Sequence, residues 1–134
     1  MEWKAEYATG IRNIDNQHRR IRELVTLFEG LSGDRADSMD VHRLILHSRQ
    51  FMEFHFSVEE SLMHLLPYAD SAVHRAEHRS VLANLADLEG QARSAMRKDE
   101  LVPLMRHLLF DHLAGSDQHF ARRALGKWRD FAAS

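Results

Sequence analysis

Apolar residues recur along this chain at intervals of three and four rather than two, and only two prolines and six glycines interrupt them. That period belongs to helices with one buried face. After an irregular arm to about Ile14, Asp15 is placed to cap a first helix whose stripe runs His18, Ile21, Val25 and Phe28 and ends near Gly30 to Gly33. The polar stretch Asp34 to Ser38 leads to a second helix that starts near Ser38 or Asp40, carries Leu44, Ile45, Phe51, His55, Glu59 and Leu62, and stops at Pro67. A third opens with Asp70 or Ser71 as cap, carries His74, His78, Val81, Leu85, Leu88 and Ala92, and fades in the charged stretch Arg97 to Glu100. Leu101, Leu104, Met105, Leu108 and His112 mark a fourth, interrupted by Gly115, and a shorter helical tail follows from Gln118 to about Phe131. Four amphipathic helices with short connections predict an all-α fold, an antiparallel up-down four-helix bundle with an N-terminal arm and a short C-terminal helix. The pattern contains no repeat, linker or low-complexity run, so residues 1–134 read as a single domain.

Composition narrows the chemistry. With 44% hydrophobic residues in 134, the chain can close one core. It has no cysteine, which excludes a disulfide scaffold, a thiolate metal site and a cysteine nucleophile. A net charge of -2 argues against general nucleic-acid binding, which needs surplus Lys and Arg. No stretch has the apolar length of a bilayer span, and Met1-Glu-Trp-Lys does not open like a secretory signal, so the expected location is cytoplasmic without membrane insertion. The figure out of line is ten histidines, the residue type that most often binds metals as a neutral ligand.

Successive helical residues turn by about 100°, which places each histidine against the apolar stripe of its own helix. His18 falls on the first stripe, His55 on the second, His74 and His78 on the third and His112 on the fourth, with Glu59 on the face of His55. A single histidine on an apolar face is more often a hydrogen-bonded core residue than a ligand. Five from four helices are a different case. Each buried imidazole needs partners for two nitrogens, an apolar interior offers almost none, and a lone buried carboxylate is costly. A metal centre satisfies all of them. His42, His64 and His107 lie well round from the stripes and His47 on a flank, so they read as surface residues, as does Glu60. Spacing leaves two candidates for a last ligand. An unbroken fourth helix would bring His119 onto the face of His112 and turn Asp117 away, whereas a helix ended at Gly115 by a left-handed residue would let Asp117 swing back.

These residues resemble the hemerythrin family in its single-domain bacterial form. The pattern runs Gly10-Ile11-x-x-Ile14-Asp15-x-Gln17-His18, then His55-Phe56-x-x-Glu59-Glu60-x-Leu62-Met63, then His74-x-x-x-His78, then His112-x-x-x-x-Asp117, over roughly Trp3 to Phe120. The combination is highly specific, although H-x-x-x-H alone is weak. The resemblance implies two iron ions, with His74, His78 and His112 on one, His18 and His55 on the other, and Glu59, Asp117 and an oxo or hydroxo group bridging them. It selects Asp117 over His119. It also implies one open coordination position, on the iron with two histidines, for dioxygen. The implied oxygen pocket is lined by Ile21, Phe56, Leu108, Leu109 and Leu113. The family commonly has a tryptophan four residues before the last histidine, where this chain has Leu108. The smaller side chain is expected to enlarge the pocket or open a path for solvent and small anions such as azide.

The function the resemblance implies is reversible dioxygen binding, for storage, delivery or sensing, although sensing usually needs an output domain and the pattern is expected to hold none. Carboxylate-rich di-iron sites in other bundles use four glutamates with two histidines. Two carboxylates among five imidazoles supply less negative charge to highly oxidised iron, which favours binding over oxygen cleavage. The alternatives are an enzyme reducing peroxide or nitric oxide, an iron-centre repair or metal-handling protein, and a zinc protein. The absent cysteines count against repair, and seven ligands are too many for one tetrahedral zinc.

Overall fold

The computed structural model describes residues 8–30, 38–66, 68–91, 103–111 and 115–133, and all regular structure among them is helical. The elements are α1 (Arg12–Gly30), α2 (Ser38–Leu65), α3 (Ser71–Gln91), α4 (residues 103–111, ending in the π-helical turn His107–Asp111) and α5 (Ser116–Ala133). The predicted ligand His112, the predicted pocket residue Leu113 and the predicted fading of α3 at Arg97 to Glu100 lie outside the described residues. Among the described residues no helix is long and apolar enough to cross a membrane.

Helix α1 begins three residues before Asp15, and Asp15 is not its cap. The Asp15 carboxylate reaches back along the chain, accepting hydrogen bonds from Thr9 N (2.7 Å), Thr9 Oγ1 (2.7 Å) and Gly10 N (3.2 Å). The Thr9 hydroxyl in turn accepts from Ile11 N at 3.1 Å. A buried carboxylate thus organises the entry to the helix, and does more for it than a single capping bond would. Gly10 sits between at φ 85°, a conformation strained for any residue with a Cβ, and such an atom would stand 3.0 Å from Leu125 Cδ1 of α5. At α3, His74 N donates to Asp70 O at 3.0 Å, which makes Asp70 the cap. Gly115 plays the same part for α5, accepting from His119 N at 3.1 Å. Gly115 is not left-handed, since the positive φ belongs to Gly10, and α5 starts at Ser116 rather than near Gln118.

Helix α1 packs on α2, α2 on α3, and the π-helical turn of α4 on both α1 and α3. The buried stripe of α1 is Ile14, His18, Ile21, Val25 and Phe28, with Asp15 and Leu24 beside it. Two apolar clusters form the core. The larger joins residues of α1 to α4 around Phe28, Ile45, Met52, Phe56, Leu85 and Leu109. The smaller joins Met63, Tyr68, Phe120 and Ala124. On α2 the polar pair His55 and Glu59 falls between Met52 of one cluster and Met63 of the other. The histidine layer therefore has an apolar plug on either side.

Removal of the Asp15 carboxylate strands two backbone N–H groups and a hydroxyl. Asp15→Ala is expected to cost about 2 kcal/mol, in the range for hydrogen bonds to a charged group, read as a lower urea midpoint with an unchanged slope.

Candidate metal centre

The i, i+4 spacing puts His55 and Glu59 on one face of α2, and His74 and His78 on one face of α3. His18 comes from the middle of α1 and Asp117 from the first turn of α5, where the positive end of the helix dipole favours a carboxylate. All six are buried, and His18, His55, Glu59 and Asp117 are fully enclosed.

The carboxylates order the site. Asp117 Oδ2 lies 2.7 Å from His18 Nε2 and 2.8 Å from His55 Nε2, while its Oδ1 lies 3.3 Å from His74 Nε2. Glu59 repeats the division. Its Oε1 is in close contact with His55 Nε2, and its Oε2 is 2.9 Å from His74 Nε2 and 3.5 Å from His78 Nε2. Asp117 turns one oxygen to His18 and His55 and the other to His74, and Glu59 turns one to His55 and the other to His74 and His78. Among the described residues two groups able to hold a metal ion result, His18–His55–Glu59–Asp117 and Glu59–His74–His78–Asp117, which share both carboxylates.

The donor set fits a cation. His55 Nδ1 lies 2.7 Å from Gln17 Oε1 and donates to it. A neutral imidazole has one proton, so His55 Nε2 then points a lone pair at two carboxylate oxygens. That arrangement is repulsive unless a positive charge lies between them. In the metal-free chain a proton serves. Burial opposes charging His55, but its hydrogen bonds to Asp117 and Glu59 prevail and hold its pKa up at about 10. His74 is pushed up to about 9 by the same two partners against the same burial. Burial and the Asp117 charge both push Glu59 up, yet the bonds to His55, His74 and His78 hold it below the usual carboxylate range.

The remaining predicted residues can now be placed. Ile21, Phe56, Leu108 and Leu109 share one buried cluster. Phe56 stacks on His78, with centroids 3.9 Å apart and planes at 9°, and also lies 5.7 Å from the His55 ring, so it braces a histidine of each pair. His47, His64, His107 and His119 are exposed and His42 is half-buried. His119, the rival to Asp117 by spacing, faces outward with Nε2 3.2 Å from Asp70 Oδ2. Two neighbours received no role from the sequence. Gln17 was legible as part of a motif, but its bond to His55 crosses 38 positions and has no local signal. Glu60, read as solvated, is only partly exposed, with Oε2 3.7 Å from His78 Nδ1.

The family model described as "Hemerythrin HHE cation binding domain" matches residues 9–124. The chain belongs to the hemerythrin family. It is 30% identical over 132 residues to a bacteriohemerythrin of Stenotrophomonas maltophilia, an alignment covering 97% of this chain and 85% of that one. It is 29% identical over 124 residues to a bacteriohemerythrin of Methylococcus capsulatus, covering 88% and 92% respectively. A crystal structure of wild-type hemerythrin has the same fold, with a TM-score of 0.79 at 24% identity over 92% of this chain and 97% of that one. Membership in the hemerythrin family carries a non-haem di-iron type of site, and the two carboxylate-sharing groups are where this member has residues able to hold metal.

Raised imidazole pKa values fix the sign of a pH effect. Their stabilisation is complete below the ordinary value of 6.5 and is lost as pH rises through about 9 and 10. The melting temperature of chelator-treated protein is therefore expected to fall between pH 7 and pH 10. Metal-loaded protein, with cations in place of those protons, is expected to show a much smaller fall over the same range.

Proposed function

We propose that this hemerythrin-family protein binds dioxygen reversibly at two iron ions held in an up-down four-helix bundle. One observation carries the reading: Glu59 and Asp117 each present one oxygen to either group of histidines, as two metals sharing two carboxylates require. His18 and His55 would hold one iron and His74 and His78 the other, with His112 joining the second as the family resemblance implies. An oxo or hydroxo group would complete the bridge.

When bound, the two irons supply two electrons to dioxygen and recover them on release. The protein's part is to hold and to shield. Glu59 and Asp117 would hold the pair with two negative charges, and the imidazoles would add donors without adding charge. Phe56, Ile21 and Leu109 are at most 1% exposed and keep water from the two-histidine side. Leu108 is the weak point of that wall. It belongs to the core cluster, yet it also lines a cleft of about 330 Å³ with Glu77, Val81 and Asn84, so its side chain touches both the core and an opening to the surface.

Purified protein reduced and then exposed to air is expected to hold two irons per chain, to show oxo-to-iron charge-transfer bands in the near ultraviolet, and to bleach reversibly on deoxygenation. Colourless protein with one zinc would contradict the proposal, and sustained consumption of oxygen or peroxide with a reductant would make the protein an enzyme. His55→Ala or Glu59→Ala is expected to abolish the bands, whereas His47→Ala or His64→Ala should leave them intact.

Leu108→Trp is expected to slow both azide binding and autoxidation in stopped-flow and optical decay measurements. Unchanged rates would remove Leu108 from the access route.

A further inference from the structure

Gln17 stands one residue before His18, about 100° round α1, and so turns away from the metal-binding face toward α2. There its Oε1 accepts the 2.7 Å hydrogen bond from His55 Nδ1. The other histidine of the pair has no such support: His18 Nδ1 is buried and has no hydrogen-bond partner among the described residues. Gln17 is half-buried, and its outer side lines a cleft of about 370 Å³ with Asn16, Arg20, Phe51, Phe54 and Val58. An amide in contact with solvent on one side thus grips a fully buried imidazole on the other.

We propose that Gln17 is a positioning residue that fixes the tautomer and donor strength of His55, and through it the affinity of the His18–His55 metal position. The inference rests on the metal-binding half of the reading above and is independent of dioxygen. Once a metal displaces the proton at Nε2, the Gln17 acceptor holds the remaining proton on Nδ1, leaves the Nε2 lone pair aimed between Glu59 and Asp117, and increases the electron density offered to the metal. Without that acceptor, the proton can move to Nε2 and hydrogen-bond to Asp117, in competition with the metal. The His74–His78 position does not use this contact, so Gln17 makes the two positions unequal. Glutamine suits the role because its acceptor is neutral. A carboxylate in its place would add a charge beside two buried carboxylates.

The test is a titration of metal-free protein with Co2+ alone, followed by its visible ligand-field bands and by chelator competition. Wild type is expected to bind in two steps. Q17L is expected to weaken one step by roughly 10- to 100-fold, the usual cost of removing such an outer partner, and to leave the other unchanged. Q17N, too short to reach His55, should reproduce that loss by a second route. Q17E, which restores an acceptor, should recover the weakened step and lower the reduction potential of iron-loaded protein. Asn16→Ala, in the same cleft, should change neither step. Unchanged binding in Q17L and Q17N, equal weakening of both steps, or Q17E as weak as Q17L would overturn the proposal, as would the absence of a second step in wild type. Two-step Co2+ binding with the expected variant pattern, in a protein that does not oxygenate reversibly, would leave the role of Gln17 standing and remove only the dioxygen reading.

Discussion

Two carboxylates with no solvent exposure, Glu59 and Asp117, set the terms for the rest of the structure. Negative charge in a helical core is tolerated only when it is met by positive charge or well-aligned donors. Here the groups set against it include four imidazoles delivered by three helices, with Nε2 atoms between 2.7 and 3.5 Å from carboxylate oxygens for His18, His74 and His78. Those imidazoles need a further cation to stop being lone pairs facing lone pairs. Each helix must consequently keep its register. A rotation of α1 by one residue would replace His18 with Gln17 or Arg19, and the large apolar side chains either side of the site hold that register.

Much of this was legible along the chain, and the reason is the helical period. Residues spaced by three and four share a face, so the stripes through His18, His55 and Glu59, and His74 and His78, were visible without coordinates, and so was the exposure of His47, His64 and His107. What escaped is whatever depends on how the backbone turns between helices. Asp15 reads locally as a cap because Asp often is one. Its true partners, Thr9 and Gly10, precede it in a turn that the period does not describe. Asp117 and His119 could not be separated by spacing because they belong to a new helix, capped by Gly115, rather than to a continuation of the fourth. The link from Gln17 to His55 crosses between helices, and only the packing of α1 on α2 creates it.

The same site explains why the surroundings are apolar. Phe56 stacks on His78 and lies beside His55, so one ring limits the motion of both histidine pairs while excluding water from them. Tyr68 and Phe120 pack edge-on to His74 from the other end. Coordination geometry and hydrophobic packing therefore support each other. The aromatic plugs keep the imidazoles in place, and the polar layer gives four helices a reason to converge at one level of the core.

The central claim is that two metals share Glu59 and Asp117. A crystal structure of the iron-loaded protein, with diffraction data collected on either side of the iron absorption edge, tests it most directly. The account predicts two anomalous peaks per chain, one flanked by His18 and His55 and one by His74 and His78, with Glu59 and Asp117 contributing one oxygen to each. A single peak, or two peaks that do not share both carboxylates, would contradict it.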